Sequence, residues 1–368
     1  MMEMLYFIGM MVIVVGLQAV TPYVIRRGES FGVMIGEEAA KDPVIRKMKR
    51  QFVQWNVIVG AAVTIVVAVI LAMLNGNENG QAIVLIIAIL AVCVLSFLIY
   101  IRFYRATLAW KREHLEVVAD KVDIVMVDTT FHRQKLTISY IWYLIPLAVI
   151  LVTIGLTVIY YSQIPSQIPM HYNFNNEVTN YAAKSYRTVM MMPVMQIVML
   201  GLFIFINYMM TRSKQVIDND NPTLSMKRNV MFRQIYSKFN LVMGTLLMLL
   251  FMVVQLSFIF AIPSAVIGIS VAVVLVIIFG GLIFLMVRVG QGGSRLKLED
   301  TGEVDRKPIR DDDANWKLGV FYVNRQDPAL FVEKRFGVGW TINMARPAAW
   351  IMFALVIGVI VAVSVIFS

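Results

Sequence analysis

The chain has 368 residues, of which 59% are hydrophobic and only 15% charged, with a formal net charge of +10. A soluble domain carries about a quarter charged residues, so a water-soluble globular protein is excluded. The basic excess reads as membrane topology rather than nucleic-acid binding, because it sits between apolar blocks of about 20 residues, the length that crosses a bilayer. The one cysteine, Cys93, lies inside such a block, so neither an intrachain disulfide nor a cysteine-based metal site is available.

Taken in order, the apolar blocks predict eight spans, at about 4–23, 54–74, 82–101, 138–160, 188–209, 239–261, 264–287 and 348–367. The first lacks a basic leader and a small-residue cleavage site, so it reads as a span and not as a signal peptide. Lys and Arg number seven in 24–53, seven in 102–137, six in 210–238 and eleven in 288–347. Only Lys184 and Arg187 fall in the alternate loops. The expected orientation therefore places both termini outside the membrane and the basic segments in the cytoplasm.

The expected organisation has five parts. Residues 1–137 hold three helices with basic loops, and 138–209 hold a helix pair enclosing the segment 161–187. Residues 210–290 hold a loop and a helical hairpin turning at Ile262-Pro263, 291–347 a linker and a small module, and 348–368 the last helix. The fold class is all-α integral membrane: an eight-helix bundle with an ordered extracytoplasmic loop and a small β-containing cytoplasmic module before the last helix. Asp42 is expected to cap a helix beginning at Pro43, whose apolar Val44, Ile45, Met48 and Phe52 alternate with Arg46, Lys47, Lys49 and Arg50 to give an interfacial segment entering span two. Span three is expected to continue as helix through Lys111–Val118, followed by a β-like run at 122–130.

Segment 161–187 is the long polar stretch on the outer side. Pro165 and Pro169 fix φ, and Asn173, Asn175, Asn176 and Asn180 favour local turns. Interleaved Tyr172, Phe174, Tyr181 and Tyr186 argue for an ordered cap rather than a linker. Its words, Ile164-Pro165-Ser166-Gln167-Ile168-Pro169-Met170-His171-Tyr172-Asn173 with Asn176-Glu177-Val178 and Lys184-Ser185, resemble a box of about 25 residues. That box marks a domain of unknown function in the SdpI-type toxin-immunity membrane proteins of Gram-positive bacteria. Asn176 departs from the glycine usual there, and Asn tolerates the left-handed turn better than other side chains. Phe31-Gly32-Val33-Met34-Ile35 resembles the segment often paired with that box, departing at Met34 and Gly36.

In 315–346, two alternating runs, LGVFYVN and one ending GWTIN, flank an NRQDP turn and predict short β-ribbons. Trp316-Lys317, Tyr322, Asn324, Asp327-Pro328, Lys334-Arg335 and Gly339-Trp340-Thr341-Ile342-Asn343 resemble a second small domain of unknown function, found at the C-terminus of such proteins and bringing no known catalytic residues.

The spans carry no acidic or basic residue near their centres, and their polar residues are Gln18, Asn56, Gln196, Asn207 and Gln255. This argues against an ion-coupled pump. No nucleophile–base set, paired aspartates, zinc-ligand helix or phosphate loop is present, and His114, His132 and His171 lie in separate loops, so neither an enzyme nor a metal or cofactor is expected. The resemblance implies a sensor or immunity protein. Its expected ligand site is Pro165, Pro169, His171, Asn173, Asn175, Glu177 and Lys184, meeting an extracellular peptide toxin or envelope signal. Its expected partner surface is Trp316, Lys317, Tyr322, Asn324, Arg335, Trp340 and Asn343, meeting a cytoplasmic regulator protein, with the bilayer as the other partner and no direct nucleic-acid contact. The alternatives are a lipid or peptide carrier, with a polar cavity at Gln196 and Gln255, and a structural scaffold.

Overall fold

Among the described residues, chain hydropathy is realised mostly as helix. The structure is a computed structural model describing residues 2–74, 78–114, 134–172, 178–215, 222–260, 262–298 and 312–367. Eight of its helices are long and apolar enough to cross a membrane. They are α1 (Met2–Val24), α2 (Pro43–Met73), α3 (Glu78–His114), α4 (Leu144–Ile159), α6 (Met191–Arg212), α7 (Pro222–Ile259), α8 (Ser264–Arg288) and α9 (Pro347–Phe367). A ninth, α5 (Tyr186–Val189), is a single turn. The chain is thus a multi-pass membrane protein. Asp42 caps α2 by accepting from the Val44 N–H at 2.7 Å, with Pro43 in the first turn where its missing N–H costs nothing.

The basic segment at 43–53 runs into span two as one continuous α2 of 31 residues, as expected. One boundary differs from expectation. Residues 222–238, expected as loop, are the opening turns of α7. Polar side chains there are compatible with helix, and helix satisfies the backbone internally, which apolar length alone does not reveal. The run at 122–130 and the end of the predicted span-three extension, 115–118, lie outside the described residues.

Contacts divide the chain into two compact units built from segments distant in sequence. The first comprises 1–131, 213–232 and 283–346, and the second 132–212, 233–282 and 347–368. In the first, α1, α2 and α3 pack around Phe7, Met11, Val67, Ala88 and Val92. In the second, Tyr143, Ile150, Leu200, Phe203 and Met248 join α4, α6 and α7.

Among the described residues the strands form four antiparallel pairs. They are β1 (Glu29–Ser30) with β2 (Val33–Met34), β3 (Gln167–Tyr172) with β4 (Val178–Ala183), β5 (Trp316–Lys317) with β6 (Phe321–Tyr322), and β7 (Phe331–Glu333) with β8 (Trp340–Ile342). The β1–β2 turn is Phe31-Gly32, both at positive φ (+46° and +76°). A left-handed Phe costs about 1–2 kcal/mol. Its ring, fully buried and stacked on Phe103 at 5.3 Å and Phe336 at 6.0 Å, gains about 2–3 kcal/mol, which outweighs that cost. The β5–β6 turn repeats the device with Leu318 at +53° and Gly319 at +70°. The two turns meet at Tyr100 of α3, whose hydroxyl shares its proton between the carbonyls of Phe31 (3.2 Å) and Leu318 (2.9 Å).

A Cβ on Gly32 would lie 2.6 Å from the Gly319 carbonyl oxygen and 2.7 Å from the Tyr100 hydroxyl. Gly32→Ala is therefore expected to destabilise the first unit by about 2–4 kcal/mol through strain and separation of the two turns. Thermal unfolding in detergent checks this, and a melting temperature equal to wild type would refute the packing argument.

Candidate functional site

Segment 161–187 folds from its own apolar anchors. Ile164 and Ile168 sink into a cluster with Val189, Phe258 and Ile259. Between them Pro165 is exposed, and Pro169 is half-buried in β3. The Lys184 N–H donates to the Ser166 carbonyl at 2.9 Å, and the register continues Gln167↔Ala183, Ile168↔Ala182 and Pro169↔Tyr181. Because hydrogen-bonded pairs alternate, Pro169 falls at a pair that exchanges no ladder bond, where its missing N–H does no harm.

Lys184 is the clasp of this hairpin. Its ammonium donates to the Ile164 carbonyl at 2.8 Å and lies over the Tyr161 ring at 4.6 Å. Tyr161 in turn stacks on Tyr186 at 4.6 Å. Lys184 therefore acts inside the segment, while Tyr181 (54%) and Tyr186 (72%) present their rings to the surroundings. His171 pairs with Asn180 at a register shift in β3. Asn173, Asn175 and Glu177 lie outside the described residues.

The residues expected as a partner surface near the C-terminus divide differently. Trp316, Tyr322, Arg335 and Asn343 are buried. Trp316 lies under the Arg335 guanidinium at 5.1 Å and against Tyr322 at 5.0 Å. Asn343 donates to the Asn324 carbonyl at 2.8 Å, and its own oxygen accepts from the Asn324 N–H at 3.1 Å. Asn324 turns the chain by accepting from the Gln326 N–H at 2.8 Å. Trp340 is half-buried against Phe232 at 5.3 Å. Of the seven residues, Lys317 is the exposed one, and Phe321, Val323 and Arg325, which the sequence reading did not single out, stand exposed beside it.

This segment is held by buried polar contacts to distant parts of the first unit. Arg335 pairs with Asp312 and Asp313 and also donates to the Gly32 carbonyl. Lys111 of α3 meets Asp313 at 2.7 Å, and Arg26, just beyond α1, pairs with Glu333. Asn229 of α7 donates to Glu333 at 2.6 Å. Gln291 exchanges two hydrogen bonds with the Gly339 backbone, at 2.7 and 3.0 Å, as a strand residue would. Burial alone would raise the Asp327 carboxyl, but hydrogen bonds from Lys214, Tyr322 and the Ala329 N–H outweigh it and hold the group below the usual carboxylate range. Sequence reasoning missed Arg26, Glu29, Asn229, Gln291 and Glu333 as members of this site. Each looks like an ordinary loop or helix-end residue in the sequence; Arg26 and Asn229 meet Glu333 across 307 and 104 positions, Gln291 meets Gly339 across 48, and Glu29 is set apart only by its burial.

Polar side chains in the second unit form a ladder between helices. Gln196 donates to the Met248 carbonyl at 2.8 Å and the Thr153 hydroxyl at 3.3 Å. Gln255 donates to the Val189 carbonyl and the Thr157 hydroxyl, both at 3.1 Å. A main-chain carbonyl only accepts, so each amide nitrogen must face it, and each Gln oxygen is left buried with no donor. Asn207 accepts from Ser237, and in the first unit Asn56 accepts from Ser96. Gln18 donates to Cys93 Sγ at 3.6 Å.

Residues 148–197 match the profile of a domain of unknown function (DUF1648), which is typical of membrane proteins. Residues 325–350 match that of a family of unknown function (DUF5808). The first match spans most of α4, the hairpin, α5 and the start of α6; the second spans β7, β8 and the start of α9. No curated protein and no solved structure matches the chain.

Two outcomes are expected of the clasps. Lys184→Met should lower hydrogen-exchange protection of 167–183 about tenfold, because it removes a charge-assisted hydrogen bond and a cation–π contact. Unchanged protection would show that the apolar anchors alone hold the hairpin. Arg335→Met should cost about 3 kcal/mol in chemical unfolding, because it strands the Asp312 carboxylate and the Gly32 carbonyl and leaves Asp313 with Lys111 alone. A loss below about 0.5 kcal/mol, the range of ordinary surface changes, would contradict the clamp.

Proposed function

We propose that the protein is a bacterial membrane sensor of the immunity type. In this reading 161–187 faces outward and meets an extracellular peptide toxin or envelope signal. The segments around 28–53 and 315–346 face the cytoplasm and pass the state to a regulator protein. The observation that carries the reading is the β3–β4 hairpin, seated by Ile164 and Ile168, clasped by Lys184 and presenting Tyr181 and Tyr186. A braced hairpin with exposed aromatic rings loses little entropy on binding a ligand, as recognition requires. The Lys and Arg bias supports the sidedness, and the resemblance of 161–187 to the SdpI-type box supports the immunity role. For the inner surface, Lys317, Phe321, Val323 and Arg325 take the place of the buried residues expected at first.

A carrier for lipid or peptide is the second reading, and the donorless carbonyl oxygens of Gln196 and Gln255 favour it. A solute bearing N–H or O–H groups would complete them.

The test is host sensitivity to secreted peptide toxins, comparing a deletion strain with strains carrying wild type, His171→Ala or Asn173→Ala. Wild type should protect, and both variants should fail at normal membrane levels. If deletion leaves sensitivity unchanged, the immunity reading falls. A change in solute flux on Gln255→Leu, with protein levels held, would then favour the carrier.

A further inference from the structure

Among the described residues, Glu29 is the one carboxylate of the first unit's charged junction for which no ion pair is seen. It lies in β1 at 2% exposure. Four charged groups face it: Arg26 from the end of α1, Arg335 following β7, Glu333 within β7 and Asp313 from the turn before β5. The two arginines are committed to other carboxylates, Arg26 to Glu333 and Arg335 to Asp312 and Asp313. Lys111 is committed to Asp313 and Asn229 to Glu333. From α3 the Tyr100 hydroxyl also lies in the field of Glu29, but its proton goes to the Phe31 and Leu318 carbonyls. Glu29 Oε2 is buried and meets no donor.

Desolvation is the largest influence on this group; Arg26 and Arg335 oppose it, and Glu333 and Asp313 add to it. An ionised carboxylate there must draw Arg26 or Arg335 from its partner or admit water. Either response breaks contacts that seat 312–346 on the β1–β2 hairpin. We propose that Glu29 is a proton-operated latch: protonated, it lets the C-terminal module sit closed on the 29–34 hairpin, and ionised, it loosens that seat.

Burial pushes the Glu29 carboxyl from 4.5 up to about 7. A raised carboxyl favours the closed state fully below its unfolded value, and that advantage is lost progressively as pH rises from 4.5 through 7. If opening hydrates Glu29, the opening constant rises about tenfold between about pH 6 and pH 8. The relay role proposed above would give the latch a use, but the latch itself is defined by Glu29 and its neighbours.

The test uses the full chain in lipid nanodiscs. Hydrogen exchange of the Phe331–Glu333 and Trp340–Ile342 amides, corrected for intrinsic chemistry, should show protection falling about tenfold from about pH 6 to 8 in wild type. Glu29→Gln, which keeps shape and removes charge, should give high, flat protection. A wild type without this pH dependence overturns the proposal, as does a Glu29→Gln variant that keeps the wild-type slope. Should that variant fail to fold, infrared spectroscopy of wild type decides. A protonated-carboxyl band that disappears between the same two pH values supports the latch, and its absence refutes it. Toxin sensitivity does not enter these readouts, so the latch and the immunity reading fail separately.

Discussion

The first unit depends on one close approach. Two left-handed turns, Phe31-Gly32 and Leu318-Gly319, meet with no side chain between them, and the Tyr100 hydroxyl serves both carbonyls. The contact requires glycine on each side and an aromatic donor from a membrane-spanning helix. It also explains how β5 to β8, strands of two or three residues, can be ordered at all. Two-stranded ribbons of that length are marginal in water on their own. Their order comes from Phe336 lying on Phe31 and Phe52, and from the backbone bonds of Lys214 to Phe331 and of Gln291 to Gly339. The 312–346 segment is therefore part of the unit that holds α1, α2 and α3, rather than an appendage.

The ion pairs around this contact fix position more than they add stability. Desolvating Arg335, Lys111 and Glu333 costs several kcal/mol, which pairing roughly returns. Their value is that a shifted seat would leave buried charges unmatched. The same logic makes the site sensitive to protons. A carboxyl added to a nearly balanced cluster is tolerated when neutral and becomes costly when ionised, which is the position of Glu29.

In the second unit, polar groups do similar work at lower charge. The Thr153, Thr157, Gln196 and Gln255 ladder ties α4, α6 and α7 by hydrogen bonds to hydroxyls and main-chain carbonyls. Such bonds are modest individually, yet in an apolar setting they select one helix register among many. The hairpin built on these helices inherits that register through Val189, whose side chain packs on Ile164 and Ile168 and whose carbonyl accepts from Gln255.

The sequence by itself determined the eight apolar helices and the cap at Asp42, because hydropathy and capping act over a few residues. It also drew attention to 161–187 and 315–346, the regions around which the two matching profiles fall. It did not determine the role of single residues within them. The box points to Lys184 as a ligand group, and the structure shows it clasping its own loop; the alternating runs point to Trp316, Tyr322, Arg335 and Asn343 as surface, and they are interior. An alternating pattern states which residues share a face, but not whether that face meets a partner or the chain's own distant segments. Only tertiary structure could bring Gly32 to Gly319, Arg26 to Glu333 and Gln291 to Gly339. Each pairing depends on backbone positions set by helices far away in sequence, and no local signal in the chain encodes that distance.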